Sequence, residues 1–280
     1  MALTLKIDAE EMACVSQQTV DRWRDAEWTS APDYIAVEVP VALEFNGISH
    51  AVMLATPSDL ESFALGFALS EGIVTRPADF RSAEVEESER GVTVHCQISS
   101  QAFMNLKQRR RNLTGRTGCG LCGVESLDQV IRELPRVPPG GVISGLSLRA
   151  ALDELNKRQP LGNLTGGMHA AAWSNSTGQL QIVCEDVGRH NALDKLIGRM
   201  TERNLSFQDG FLLITSRASV EMVQKAATLG ISCLIAISAP TALAVETANN
   251  TGLTLIAFAR GNSFVLYTHA GKIDTRPLWT

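Results

Sequence analysis

The chain lacks any uninterrupted apolar run of the roughly 18 residues that a membrane-spanning helix requires. Its opening residues, Met1 to Asp8, hold neither the apolar core of a secretory signal nor an arginine-rich amphipathic pattern. The expectation is a cytoplasmic protein with no membrane partner. A surplus of either charge is also missing: 25 Lys and Arg stand against 30 Asp and Glu, a net charge of -5 over 280 residues. That balance excludes a general nucleic-acid binder. No internal repeat and no low-complexity tract breaks the chain. Six cysteines without a secretory signal point to a reducing compartment rather than a disulfide framework.

What is present centres on Thr114-Gly115-Arg116-Thr117-Gly118-Cys119-Gly120-Leu121-Cys122-Gly123, just after the basic run Lys107-Gln108-Arg109-Arg110-Arg111. Two thiols three residues apart, among glycines and cations, combine reactivity with backbone freedom. Thiolate is both nucleophile and metal ligand, and neighbouring cations favour it. Three roles stay open on spacing alone. Zinc needs four ligands, yet Cys14, Cys96, Cys184 and Cys233 are solitary. The zinc-deaminase pattern of His-x-Glu with Pro-Cys-x-x-Cys is absent, because Gly118 precedes Cys119 and no histidine has glutamate two residues on. A redox pair at a helix start is the second role. Sulfur carriage is the third, and needs only an exposed thiolate on a mobile segment.

The hydrophobic pattern divides the chain into four segments. Residues 1–33 read as a polar extension with Trp23 and Trp28 as its large anchors. Residues 34–106 read as a portion rich in β-hairpins. Alternating Val37 to Phe45, then Asn46-Gly47 and Ile48 to Leu54, form the strongest hairpin signal, with Pro40 suggesting an edge strand. Ser58 to Glu61 reads as a capping box for a helix ended by Gly72. A second turn falls at Glu89-Arg90-Gly91, with Cys96 as a small core hydrophobe on its return strand. Residues 107–123 read as a mobile basic, glycine-rich Cys-x-x-Cys loop, followed by a short helix over 124–134. Within 124–280, apolar strands alternate with helices, including one from Ser147 to Gln159 stopped by Pro160. Another runs from Pro240 to Asn249, capped by Ser238 or Ala239. Such alternation predicts an α/β core with a mixed, largely parallel sheet covered by helices.

Polar clusters sit where apolar strands end, the place where open α/β sheets bind ligands. His169 follows Gly166-Gly167, which are capable of admitting an anion to the backbone or of merely making a turn. Six charged or imidazole residues crowd Glu185 to Lys195, with Asp186 and Asn191 as possible helix caps. Thr215-Ser216-Arg217-Ala218-Ser219 and Phe258-Ala259-Arg260-Gly261-Asn262-Ser263 each place an arginine among small polar residues after a strand. Guanidinium forks and free amides suit phosphate. Neither of these two strand ends is a Walker motif or a dinucleotide fingerprint.

These motifs together resemble the FdhD family of formate dehydrogenase accessory sulfurtransferases. The resemblance rests on Thr117 to Gly123, Gly167-Met168-His169-Ala170-Ala171, Glu185 to Lys195, Ser216 to Ser219, and Ser238-Ala239-Pro240-Thr241, in that order from about Tyr34 onward. It implies a cytidine-deaminase-like α/β core without the deaminase zinc, and no metal held by the chain. It implies a sulfurtransferase that takes sulfur from a cysteine desulfurase as a persulfide on Cys119. The sulfur then goes to the molybdenum (or tungsten) bis(molybdopterin guanine dinucleotide) cofactor, a guanine nucleotide-like ligand, before that cofactor enters formate dehydrogenase. The family's cofactor-binding stretch matches Phe258, Ala259, Arg260, Gly261, Asn262 and Ser263. Arg217, Ser219, His169 and Asp186 complete the candidate cofactor-binding set, and Cys122 joins Cys119 as the candidate catalytic pair on spacing alone. The resemblance also suggests a homodimer. The contending reading is a non-catalytic molybdenum-cofactor chaperone whose Cys-x-x-Cys serves redox sensing or zinc binding.

Overall fold

The computed structural model describes residues 9–113 and 134–274. A short helix α1 (Ala9–Ala13) leads into an antiparallel ribbon of β1 (Val15–Arg24) and β2 (Glu27–Ala36). Its turn residues Asp25 and Ala26 both have positive φ, 51° and 65°, the handedness a two-residue hairpin requires. Trp23 and Trp28 face each other across the penultimate pair, with ring centroids 5.2 Å apart. The division read at residue 33 falls inside β2.

A four-stranded sheet follows, built from β3 (Val39–Phe45), β4 (Ile48–Ala55), β5 (Phe80–Ser88) and β6 (Gly91–Ile98) in the order β4-β3-β6-β5. Both hairpins fall where the turn residues predict them. Pro40 is not on an edge, because β3 pairs with β4 on one side and β6 on the other. The pairing to β6 begins only at Val41, so the missing proline N–H interrupts no bond on that side. Helix α2 (Leu60–Ser70) starts as expected, but without a capping box. Asp59 takes the N-cap position in a left-handed conformation with no side-chain cap bond, and its carboxylate faces Arg199 at 3.4 Å. Helix α3 (Ser100–Leu113) overturns the start of the loop assignment: the basic run from Lys107 is helical. Lys, Gln, Arg and Leu are strong helix formers, and Ser99 Oγ accepts from Ala102 N at 3.3 Å to start the turn.

The α/β region comprises β7 (Ile143–Ser144), α4 (Gly145–Leu155), α5 (Pro160–Thr165), β8 (His169–Asn175), β9 (Leu180–Asp186), α6 (Arg189–Glu202), β10 (Gly210–Ile214), α7 (Val220–Thr228), β11 (Cys233–Ala236), α8 (Ala242–Thr251), β12 (Thr254–Arg260), β13 (Ser263–Leu266) and β14 (Ile273–Asp274). Two caps differ from the sequence expectation. Ser144, not Ser147, caps α4 by accepting from Ser147 N at 3.0 Å, and Pro160 opens α5 instead of stopping α4. Thr241, not Ser238 or Ala239, caps α8, its Oγ1 accepting from Ala244 N at 3.3 Å.

Six strands form the main sheet in the order β13-β12-β11-β10-β8-β9. The sheet is mixed: β10, β11 and β12 pair in parallel, β8 opposes both β9 and β10, and β13 opposes β12. Hence β9, β10, β11 and β12 share one direction, and their carboxyl ends line one rim. Along β8, Ala171 and Trp173 enter one hydrophobic cluster while Ala170 and Ala172 enter the other, the two-sided burial that uninterrupted apolar strands predict.

The first cluster joins the four-stranded sheet and α2 to α6, α7 and α8. The contact between α2 and α6 is made by backbone. A Cβ on Gly66 would collide with the carbonyl of Asp194, and one on Gly198 with the carbonyl of Ser62. Polar bonds line the same seam. Ser62 Oγ donates to Glu202 at 2.8 Å, and Ser70 Oγ donates to Asp194 Oδ1 at 2.7 Å. The N-terminal sheet and the α/β region therefore share an interior.

Candidate functional site

The rim at the carboxyl ends of β9 to β12 collects the polar clusters read from the sequence. His169 opens β8 and pairs with Asp186, the last residue of β9. Thr215 Oγ1 accepts from Ala170 N at 2.8 Å, which ties the end of β10 to the start of β8. Beyond Thr215, Ala218 N donates to Ala239 O at 3.1 Å and Phe258 N to Ser238 O at 3.2 Å. These bonds stitch the turns after β10 and β11 to each other and to the last residues of β12. Arg217 is exposed on this rim, and Ser219 is partly buried just before α7.

At the end of β12 the pairing to β13 slips between Ala257 and Arg260, and Phe258 adopts φ 52°. A left-handed backbone is costly for a bulky residue, and such strain concentrates where a bulge re-aims a side chain. The result here is an outward Phe258, 44% exposed, beside the exposed Arg260, Gly261, Asn262 and Ser263, while Ala259 is buried. Arg260 and Ser263 pair across the turn, and Ser263 Oγ donates to Arg260 O at 3.2 Å. A flat aromatic face and a free guanidinium next to a glycine turn suit a base and a phosphate.

Asp186 is different in kind. It is fully buried, and both oxygens are occupied. Oδ1 accepts from Gly188 N at 2.7 Å and Asn191 Nδ2 at 2.9 Å, while Oδ2 accepts from Thr56 N at 3.0 Å and lies 2.7 Å from Lys195 Nζ. Lys195 is equally buried and also donates to Thr56 O at 2.9 Å. Thr56 Oγ1 in turn accepts from Val187 N at 3.1 Å. Asp186 therefore presents no free oxygen to a ligand. It fixes the β9–α6 turn to the loop after β4, which makes it a positioning residue.

A parallel network lies further along α6. Lys225 Nζ bonds Asp194 at 2.9 and 3.0 Å, Ser70 Oγ at 2.9 Å and Glu71 at 2.9 Å. Burial alone would push the Lys225 ammonium down, but Asp194 and Glu71 outweigh it and the net shift is upward. Burial, by contrast, pushes Asp194 up despite Lys225. We take the pair as ionised, because four acceptor contacts converge on the ammonium.

Both imidazoles of the rim are shifted downward. Burial and the Arg189 guanidinium lower His169, against Asp186. Burial, Arg189 and Lys225 lower His190 to about 4. Glu185, next to Asp186, accepts from Gly162 N at 2.7 Å and Leu161 N at 3.0 Å at the start of α5. Burial still pushes its carboxyl up to about 7 against those two amides. Sequence reasoning does not single out Arg189, His190, Lys195 or Thr56 by itself. The crowding of charge between Glu185 and Lys195 is the available signal for the first three, and Thr56 carries none.

Cys119 and Cys122 lie outside the described residues. The four cysteines within them are all buried, and burial raises Cys96, Cys184 and Cys233 to about 12. Among the described residues no group of three or more His, Cys, Asp or Glu is arranged to hold a metal, and no helix is long and apolar enough to cross a membrane.

The FdhD/NarQ family model matches residues 36–274. The chain is 52% identical to a sulfur carrier protein FdhD of Cupriavidus necator over 255 residues, covering 91% of this chain and 88% of that protein. It is 49% identical to the sulfur carrier protein FdhD of Xanthomonas campestris pv. campestris, covering 92% of each. Its fold is similar to the crystal structure of a chain described as a putative formate dehydrogenase accessory protein from Desulfotalea psychrophila. The TM-score is 0.72 at 22% identity, over 93% of this chain and 99% of that one. The match spans both sheets and every motif of the rim, and the chain belongs to the FdhD/NarQ family.

Proposed function

We propose that the protein is a sulfur carrier in formate dehydrogenase maturation, acting as a sulfurtransferase with Cys119 as its persulfide carrier. The observation that carries this reading is the burial of every described cysteine. It leaves Cys119 and Cys122, which in the sequence follow Arg116 and the basic run from Lys107, as the thiols suited to exchange. In the proposed first step, the Cys119 thiolate attacks the outer sulfur of a cysteine desulfurase persulfide, and the desulfurase thiolate leaves. In the second, the Cys122 thiolate attacks Cys119 Sγ, closing a disulfide and releasing hydrosulfide toward the substrate metal centre. A dithiol reductant then supplies the two electrons that reopen the pair.

The acceptor in this reading is the molybdenum or tungsten bis(molybdopterin guanine dinucleotide) cofactor, bound at the rim as substrate. Phe258 would stack a guanine, while Arg260 and Arg217 would take phosphates. The rim geometry supports such a ligand, and the family relation suggests it. The same relation underlies our proposals of a cytidine-deaminase-like core, a homodimer and a cytoplasmic location. The order β9-β8-β10-β11-β12, with β8 opposed to its neighbours, supports the first of these.

Incubation of wild type, Cys119→Ala and Cys122→Ala with a cysteine desulfurase and cysteine, followed by mass spectrometry, tests the carrier role. Wild type should gain one reductant-labile sulfur on Cys119, and Cys122→Ala should hold that sulfur without releasing it. A folded wild type that never gains sulfur would instead support a non-catalytic chaperone. Sulfide release by Cys122→Ala at the wild-type rate would remove Cys122 from the mechanism.

A further inference from the structure

Among the described residues, three buried side-chain polar atoms have no hydrogen-bond partner: Arg189 Nε, His190 Nε2 and Ser219 Oγ. All three belong to the two helix starts that follow β9 and β10. Arg189 and His190 are the first two residues of α6, and Ser219 is the N-cap position of α7. Burying a donor unpaired carries its full desolvation cost with nothing to offset it. The Ser219 hydroxyl has the Glu221 carboxylate beside it, whereas Arg189 Nε and His190 Nε2 mark a missing partner.

The surrounding charges give that partner a sign. His169 on β8 and His190 on α6 are both lowered, first by burial and then by the Arg189 guanidinium. Asp186 on β9 is saturated by its own four donors, so it does not serve Arg189. On α7, Lys225 is held by Asp194 and by Glu71, the residue after α2. Glu221 is the remaining carboxylate. It lies 3.8 Å from His190 Nε2, beyond hydrogen-bond distance, with its side chain 54% exposed. Against burial, the Ser219 hydroxyl beside that carboxylate and the amide of Glu221 itself help hold it below the ordinary carboxylate range. Helix α6 has no side-chain cap bond and no acidic residue in its first turn, so its opening amides add positive potential to the guanidinium, whereas the start of α7 is occupied by the Glu221 carboxylate.

We propose that this corner is an oxyanion subsite in which Arg189, with His190 and the opening amides of α6, binds a phosphate or pyrophosphate group. The subsite is separate from the Phe258–Ser263 turn. In the sheet order, the end of β9, which leads into Arg189, lies four strands from β12, roughly 19 Å at about 4.8 Å per strand, while the end of β10 lies two strands from it. The identity of the ligand carrying that group rests on the function proposed above; the charge and position of the subsite do not.

The test uses the full-length protein, inorganic pyrophosphate as probe, and histidine ring protons followed by NMR. An anion beside Arg189 raises the titration of His190 and His169, because it offsets the guanidinium that depresses them. Wild type should show that rise on adding pyrophosphate, Arg260→Gln should keep it, and Arg189→Gln should lose it with a pyrophosphate affinity about tenfold weaker. Arg189→Lys, which keeps the charge but not the fork, should fall between and stands in if the glutamine variant does not fold. The subsite is overturned if pyrophosphate leaves both histidines unmoved in wild type, or moves them equally in Arg189→Gln. Sulfur loading of Cys119 is read separately. Loading without a histidine response sinks the subsite alone, and a histidine response without loading sinks the carrier function alone.

Discussion

Burial decides which thiols of this protein can react. With Cys96, Cys184 and Cys233 raised to about 12, almost no thiolate exists at these three positions near neutral pH, and Cys14 is shielded by burial. Brief iodoacetamide treatment of the native protein at pH 7, with peptide mapping, should label Cys119 and Cys122 and spare the other four. Labelling of all six at similar rates would mean the core opens on that timescale. Glu185 offers a different test. Its carboxyl moves from 4.5 to about 7 on folding, so the native state holds the proton more tightly. The stabilisation is fully present below pH 4.5 and is lost as pH rises toward 7. The shift corresponds to roughly 3 kcal/mol. Glu185→Gln, neutral throughout, should flatten the fall in stability between about pH 5 and 7 in urea titrations. An unchanged slope would show that other groups govern that window.

The buried pair of Asp186 on β9 and Lys195 on α6 holds the rim to the loop after β4. Lys195→Met would leave the Asp186 charge uncompensated, a loss of about 3–5 kcal/mol in denaturant titrations. A loss below about 1 kcal/mol would mean that the three remaining donors to Asp186 suffice without the ammonium. The ribbon β1–β2 depends on a far smaller contact. A two-stranded ribbon alone is marginal, and its end is held by Trp23 against Trp28, 59% and 67% exposed. Trp23→Ala should cost about 1 kcal/mol locally, seen as faster amide exchange in β1 and β2 with an unchanged Tm. Turn chemistry and periodicity make most elements legible: Asn46-Gly47 marks a hairpin, and the apolar runs at Phe211, Ile231 and Leu253 announce β10 to β12. The misreadings are local and have competitors. Pro40 reads as an edge marker because a sequence does not reveal where a ladder begins. Ser58 and Ser147 read as caps because Asp59 and Ser144 lie just as near. At the site, exposed Arg217, Arg260 and Phe258 follow strands and are readable, whereas Arg189 needs the atoms to show it unpaired. The burial of Asp186 is invisible in the sequence because its partners include the distant Thr56 and the side chains of Lys195 and Asn191, whose orientation only the packed helix fixes.

Across the whole molecule, the seam between α2 and α6 fuses the N-terminal sheet and the α/β region into a single cooperative body. Gly198→Ala forces a methyl into the carbonyl of Ser62 and should cost about 3 kcal/mol of global stability. Gly271→Ala, with open space around it, should change stability by less than about 0.5 kcal/mol. Similar Tm values for the two variants would mean that the helices separate cheaply. The same seam has a consequence during synthesis. Ser70 must wait for Asp194, 124 residues further along the chain, before the apolar face of α2 is covered. A ribosome adding roughly 5–20 residues per second leaves that face bare for many seconds. The nascent N-terminal half is thus a natural client for chaperones that bind exposed apolar helices, and slow codons between α3 and α6 would lengthen its exposure.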